Sequence, residues 1–591
     1  MKLTLVFIPL SPNYFMDFKE KIAELLAKEL AIPIEQINSL LTVPPQGMGD
    51  FAFPCFISAK EQKKNPVEVA KLLAGKIKAP FLEKVEPKGP YLNFFLLKES
   101  IATQTLEGIF TEKVFEQKLG DGKVMVEYSS PNTNKPLHIG HLRNNSLGLA
   151  VSNLLESTGH KVIKANLVND RGIHICKSMI AYKLYGKDRD PVKEKIKTDH
   201  FVGDMYVLYS KKLAEDKSIE EKASAMLKKW EEGDKETLAL WKKMNKWALD
   251  GMKETYKQYG TKFDEWFLES QIFEKERGKK IIEEGLAKKV FKIEDNGAIT
   301  AILEPEMPNK VLLRGDGTSL YATNDLGLTE EKFEKYKLDK AIWVVANEQD
   351  LYFKQLFKIF EKLGRKWAKN CFHLSYGYVS LPSGRMKSRE GLVADADDLI
   401  NEMKKLSLAE ISKRYPKISK KEADSRSLSI ALAAIKFYLL KNDSKKDMVF
   451  DPEKSIQFEG ETGPYLQYTF ARAKSIMRKA TEELGEATVS EKKLAKSDFA
   501  LLTHEKEKEL IVELSKYPLS IKRSWTELSM HPLCHNILAI AEKFNSFYHE
   551  VSVLKADNKN ETLARLALVH ATTIVLKKGF ELLDIEAIEE M

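Results

Sequence analysis

The sequence predicts a multidomain α/β protein. It has a small N-terminal α+β domain, a doubly wound parallel-sheet domain opened by a helical insertion, and an all-α C-terminal bundle. Three observations lead there. The chain has 591 residues, too many for one hydrophobic core, so three or four domains are the natural division. Residues 123–169 read strand, loop, helix, strand, the first crossover of a parallel sheet. From about residue 405 the pattern is helical to the end, without repeats or low-complexity tracts.

Apolar residues at helical spacing open the chain at FKEKIAELLAKEL (18–30), and the turn-rich TVPPQGMGDFAFP follows. NPVEVAKLLAGKI predicts a second helix and GPYLNFFLL a strand, giving an α+β unit over 1–115. KVMVEYSS (123–130) reads as a strand. After a polar loop, GHLRNNSLGLAVSNLLESTG reads as a helix ended by Gly159, and HKVIKANLVND as the next strand. Residues 187–290 read as charged helices whose Trp and Leu spacing belongs to a core rather than a site. Strand signals return at KVLLRGDG, AIWVVA and FHLSYGYVSL. An insertion over roughly 187–300 therefore splits one sheet domain spanning 116–400. Helices of 401–464 lead into the bundle, 465–591.

Composition narrows the classes. With 43% hydrophobic and 30% charged residues, the chain reads as soluble and globular. LTLVFIPL (3–10) is too short to span a bilayer and is stopped by Pro9. It also lacks a cleavage site, so no secretion and no membrane association are expected. Four scattered cysteines, none in C-x-x-C, argue against a disulfide framework or a zinc ribbon and suit a reducing cytoplasm. The net charge of +8 permits nucleic-acid binding without showing it.

The informative stretch is SSPNTNKPLHIGHLRNNSLG, residues 129–148, where Pro131, Pro136, small polar residues and two histidines precede a helix. A helix N-terminus presents unpaired N–H groups and a partial positive charge, and so binds anions. His138 and His141 can donate hydrogen bonds to phosphate oxygens. Gly140 removes a Cβ where a nucleotide would lie against backbone, and Lys135 adds a full charge. An isolated H-x-x-H is usually a solvated turn. Here a second basic loop, SGRMKSREG (383–391), follows a late strand.

PLHIGHLRN resembles the HIGH motif of class I aminoacyl-tRNA synthetases, and SGRMKSREG stands where that family carries KMSKS. VEYSSPNTNKPLHIGHLRN, GTSLYATNDLG, NEQD and FEGETGPYLQYTFAR are similar to the arginyl-tRNA synthetase family. So are GDFAFPCF and GPYLNFFL near the start and a DALR-type C-terminal end, so the likeness runs along the whole chain. The resemblance implies a Rossmann-like catalytic domain, a C-terminal anticodon-binding bundle and an N-terminal reader of the tRNA elbow, with 401–464 against the tRNA stem. It implies ATP with Mg2+ as its counter-ion, L-arginine and the tRNA for arginine as substrates, no protein-ligated metal, and a monomer.

Site residues follow from the same resemblance. Pro131, Lys135, His138, Gly140 and His141 would hold ATP, together with Arg385, Met386, Lys387 and Ser388 of the second motif. That motif reads Arg385-Met386-Lys387-Ser388-Arg389 and departs from KMSKS, which Lys135 is expected to offset. Lys135, His138, His141, Lys387 and Arg389 are the catalytic candidates, with Lys135 and Arg389 carrying most transition-state charge. A guanidinium is a planar fork of donors that rigid carboxylates match best. Tyr321 and Asp325 would face it, with Glu127, Asn132 and Gln349 around the rest of the arginine. Tyr465, Gln467, Arg472, Phe547 and Tyr548 are the candidate tRNA contacts. Residues 465–591 hold 18 Lys and Arg against 19 Asp and Glu, so bulk charge does not mark the bundle as an RNA binder. Two rivals remain. A small-molecule adenylyltransferase would not need the bundle, and a non-catalytic RNA-binding relative would not need an intact HIGH motif with Lys135 before it.

Overall fold

The computed structural model describes residues 14–42, 44–45, 47–274, 277–316, 321–382, 395–556 and 558–591. Its centre is a five-stranded, all-parallel sheet. The strands are β1 (Lys123–Glu127), β2 (Lys161–Val168), β3 (Glu265–Leu268), β4 (Lys340–Ala346) and β5 (Cys371–Tyr376), in the spatial order 3-2-1-4-5. This is the doubly wound order, and the connections leave in opposite directions from β1 and β4. The helices that position the site are α1 (Ile139–Ser157), α2 (Thr198–Glu215), α3 (Lys235–Tyr259), α4 (Tyr321–Tyr336), α5 (Asp350–Lys362) and α6 (Ala396–Arg414).

Both faces of the sheet are buried, as parallel sheets require. Val124, Val126, Ile342 and Val344 face α1 and join one continuous core with the N-terminal domain and the C-terminal bundle. The alternate residues Met125, Ala341 and Trp343 face a second core built from Leu326 of α4 and Phe353 of α5.

The N-terminal domain carries a three-stranded antiparallel sheet, Phe51–Pro54, Tyr91–Leu96 and Leu82–Lys88, with Tyr91–Leu96 central. Its second predicted helix forms as Pro66–Lys76. The Asn65 side chain accepts from the Val67 N–H, and Pro66 occupies the first turn, where it costs no hydrogen bond. The C-terminal bundle is helical throughout, and its helix Lys559–Leu583 packs on α1.

Two expectations are corrected. The stretch read as unbroken helix contains β3, which pairs with β2 as the edge of the central sheet. Four residues, Glu-Trp-Phe-Leu, are too few to show a period of two. KVLLRGDG does not return to the central sheet. Lys310–Leu313 pairs antiparallel with Ile299–Ala301, which pairs with Phe291–Ile293, in a separate local sheet. Apolar strand signals report that a strand forms and not which partner it takes. Among the described residues, no helix is long and apolar enough to cross a membrane.

Candidate active site

In an open doubly wound sheet, ligands settle outside the carboxyl ends of the strands, at the point where the winding reverses. Here that point lies between β1 and β4. The loop leaving β1 is held under tension. Ser129 and Ser130 take φ values of 73° and 47°, left-handed backbone that costs a non-glycine residue on the order of 1 kcal/mol each. The Ser129 N–H donates to Asn144 Oδ1 at 2.5 Å and the Ser130 N–H to Asn166 Oδ1 at 3.1 Å. Asn144, on α1, also donates to the Val344 carbonyl of β4 at 2.7 Å and to the Tyr376 hydroxyl at 3.1 Å. One buried amide thus joins the ends of β1, β4 and β5.

His138 caps α1. The Gly140 N–H donates to His138 Nδ1 at 3.2 Å, and the His138 N–H donates to His141 Nδ1 at 3.1 Å. Both Nδ1 atoms accept, so each neutral ring carries its proton on Nε2. Burial first, then the Lys135 charge, holds His138 down at about 3. Burial, His138 and Lys135 hold His141 well below its ordinary value. The two imidazoles are therefore neutral donors at physiological pH, and the permanent charge here belongs to half-buried Lys135, whose own pKa burial lowers. A Cβ on Gly140 would stand 2.9 Å from His138 Cε1, so the glycine lets the histidine ring fold over the helix end.

A cluster of carboxyls lies towards β2, where Asn169 pairs with Asn132 and bonds Tyr321. Asp325, one helical turn after Tyr321 on α4, accepts a hydrogen bond from Tyr352 of α5. Burial and the nearby Glu127 push its carboxyl up to about 6, against the Tyr352 bond. Glu269, at the end of β3, was not foreseen from the sequence. Burial, then Asp325 and Asp170, push it up to about 8. Arg171 and the Tyr321 hydroxyl lie in the same electrostatic neighbourhood. Asp170 accepts from the Ser270 N–H at 2.9 Å and hydroxyl at 2.7 Å, which pins the turn carrying Glu269. The strand end that presents Glu269 was hidden inside the apparent helical stretch, so its only signal was an acid after WFL. Glu127 closes β1, but its carboxylate is paired with Lys332 of α4, and both are buried.

The remaining candidates divide. Asn132 bridges to Asn169 beside β2, and Gln349 is exposed in the short 3-10 turn after β4. Pro131 is buried and accepts from the Asn169 N–H at 2.9 Å. Arg385, Met386, Lys387, Ser388 and Arg389 lie outside the described residues.

In the bundle, Gln467 and Phe547 are fully buried. Gln467 donates to the Glu586 carbonyl at 2.8 Å, and Phe547 packs in the core. Neither can touch RNA from there, which corrects two of the five expected contacts. Sequence spacing showed aromatic and amide groups but not which side of the helix faces out. Arg472 lies 4.6 Å from the Tyr468 ring and 5.4 Å from that of Tyr548, lining a cavity of about 1010 Å³ with Tyr415, Arg478 and Lys479. Tyr465 sits nearby, accepting from Asn545 at 3.0 Å.

The parallel sheet in 3-2-1-4-5 order, with paired histidines capping the helix after its first strand, defines a class I synthetase catalytic domain. The profile described as "tRNA synthetases class I (R), catalytic domain" matches residues 105–452. The arginyl-tRNA synthetase N-terminal domain matches 16–96 and the DALR anticodon binding domain 466–591. The chain belongs to the arginyl-tRNA synthetase family. It is 42% identical over 571 residues to the arginine–tRNA ligase of Treponema denticola, covering 94% of this chain and 95% of that one. It is 38% identical to that of Borreliella burgdorferi, covering 95% and 96%. The structure is similar to Thermus thermophilus arginyl-tRNA synthetase, with a TM-score of 0.78 and 26% identity, covering 98% of this chain and 100% of that one.

Proposed function

We propose that this chain is an arginine–tRNA ligase, which joins L-arginine to ATP as arginyl-adenylate with loss of pyrophosphate and passes the arginine to the 3′ end of its tRNA. The observation that carries this reading is the neutral two-histidine cap with Lys135 at the sheet's switch point, on a chain that also holds the buried Asp325 and Glu269 carboxyls near Tyr321. The arginine carboxylate attacks the α-phosphorus, the bond to pyrophosphate breaks, and negative charge grows on the departing phosphates. His138 and His141 donate from Nε2 and Lys135 supplies charge, so the donors are in place before the reaction and nothing need reorganise. Chemistry of this kind depends on positioning more than on covalent help.

Asp325 and Glu269 receive the guanidinium, with Tyr321, Asn132 and Gln349 around it. Glu127 acts through its field on Asp325 while Lys332 holds it. Lys387 and Arg389 would complete the charge on the phosphates, with Arg385, Met386 and Ser388. Mg2+ enters with ATP as its counter-ion. The 1–115 segment would read the tRNA elbow, 116–400 catalyse, 401–464 meet the stem, and 465–591 take the anticodon on Arg472, Tyr465 and Tyr548. A monomer in the cytoplasm fits this work.

Arginine-dependent ATP–pyrophosphate exchange, with and without tRNA, tests the reading, together with charging against a panel of amino acids. Exchange with arginine alone among the amino acids, and only when tRNA is present, is expected. Exchange driven by a different amino acid would overturn the reading.

A further inference from the structure

Two residues on α2, nearly one turn apart, bear on the phosphate-binding turn. A Cβ on Gly203 would stand 2.7 Å from Pro136 Cδ, so the helix backbone rests directly on the Lys135–Pro136 segment. His200 reaches the other side. Its Nε2 lies 3.0 Å from Asp397 Oδ2 and 3.4 Å from Asp395 Oδ2, at the N-terminus of α6. Asp395 in turn pairs its backbone with His138, and the Ala396 N–H donates to the Leu137 carbonyl at 3.0 Å. Residues 135–138 are thus bounded by α2 and by the start of α6, and His200 joins the two.

The charges around His200 are three carboxylates and one ammonium. Asp395 and Asp397 come from α6, and Asp199 and Lys197 from the start of α2. Lys197 Nζ is 2.6 Å from Asp397 Oδ2 and 3.2 Å from Asp199 Oδ2. From α3, the Thr255 hydroxyl donates to Asp397 Oδ1 at 2.9 Å. A neutral imidazole would leave three carboxylates against one ammonium, whereas the imidazolium halves that excess of negative charge.

We propose that His200, as the imidazolium, is a positioning residue for the phosphate-binding turn, tying α2 to Asp395 and Asp397 so that Leu137 and His138 are held in register. The hydrogen bond with Asp397 pushes the imidazole up to about 8, against burial. Burial pushes Asp395 up to about 6. Burial would raise Asp397 too, but the bonds from His200 and Lys197 outweigh it and hold that carboxyl at about 2. The tie is complete between about pH 6 and about 8 and is lost as pH rises through the imidazole's value.

The inference rests on the reading of residues 135–141 as the seat of the ATP phosphates. The test is arginine-dependent pyrophosphate exchange with tRNA present, run from about pH 7 to about pH 9 at saturating substrates. Rates are expressed per arginine-binding site counted by calorimetry, so that unfolded protein drops out. In the parent, kcat should fall through an inflection near pH 8. His200→Gln should start about tenfold lower at neutral pH and show no inflection, with its arginine KM unchanged, while His200→Arg should hold its rate to about pH 9. Should His200→Gln not fold, the comparison of His200→Arg with the parent decides alone. A common alkaline limb in parent and variants overturns the proposal, as does His200→Arg tracking His200→Gln throughout. A parallel His138→Ala variant separates the two readings. Full activity there removes the phosphate assignment, whereas lost activity there with parent-like His200 variants removes only the positioning role.

Discussion

Asp325 and Glu269 carry the most direct residue-level consequences. Each titrates above the ordinary carboxylate range because burial disfavours its charge, and the two repel each other. A guanidinium binds the ionised forms, so arginine affinity should rise as pH climbs from about 6 to about 8 and then level off. Arginine KM measured across that window checks this, and a flat profile would remove the pair from the pocket. Stability runs the other way. A carboxyl whose folded pKa exceeds its unfolded one binds more protons when folded, so the free protein loses Tm as pH rises through the same window, and saturating arginine restores it. Asp325→Ala removes a charge-assisted partner of about 1.5–3 kcal/mol and should raise the arginine KM by up to about a hundredfold. A small KM change would reassign the guanidinium to Glu269.

At the scale of elements, the central question is what ties β1 to α4. Glu127 ends the strand and Lys332 sits on the helix, both buried, forming an ion pair over the Phe267 ring at 4.8 Å. Breaking one partner leaves a buried charge alone, which costs about 3–5 kcal/mol, whereas replacing both with neutral groups of similar size costs little. Lys332→Met should therefore lower Tm sharply, and Glu127→Gln with Lys332→Met should recover most of it. Thermal unfolding of Lys332→Met, Glu127→Gln and the double variant measures the coupling, and additive losses would refute it. Arg143, on α1, plays a comparable part without a carboxylate. It donates to the carbonyls of Gly377, Tyr378, Ser444 and Lys446 at 2.6–3.1 Å and is fully buried. It fastens the histidine-capped helix to the segment that runs towards the second signature motif.

For the molecule as a whole, one continuous core runs from the N-terminal domain past α1 into the C-terminal bundle. The histidine-capped helix α1 is therefore packed directly on the DALR-type bundle, through helix Lys559–Leu583. The bundle's bulk charge does not attract RNA, so the function proposed above puts recognition on the groove lined by Arg472, Tyr468 and Tyr548. Arg472→Glu should raise the KM for tRNA about tenfold or more and leave those for ATP and arginine near the parent values. Charging kinetics with tRNA as the varied substrate are the check. A KM change confined to arginine would sink the assignment.

Local order was legible from the chain itself. β1, α1 and β2 follow one another at short range, and the histidine cap with its lysine is a contiguous word of sequence, so periodicity and motif suffice for both. Asp325 and Tyr321 were named from the family resemblance of GTSLYATNDLG, and α4 sets them one helical turn apart. What the chain could not show was decided by long-range packing. Whether Lys310–Leu313 joins the main sheet, and that Glu269 meets Asp325, depend on which strand edges and strand ends are brought together. Those partners are tens to hundreds of residues apart. The same holds for Lys332 claiming Glu127, and for Gln467 and Phe547 turning inward. Spacing along a helix fixes which residues share a face, and only the neighbouring elements determine whether that face meets water or another helix.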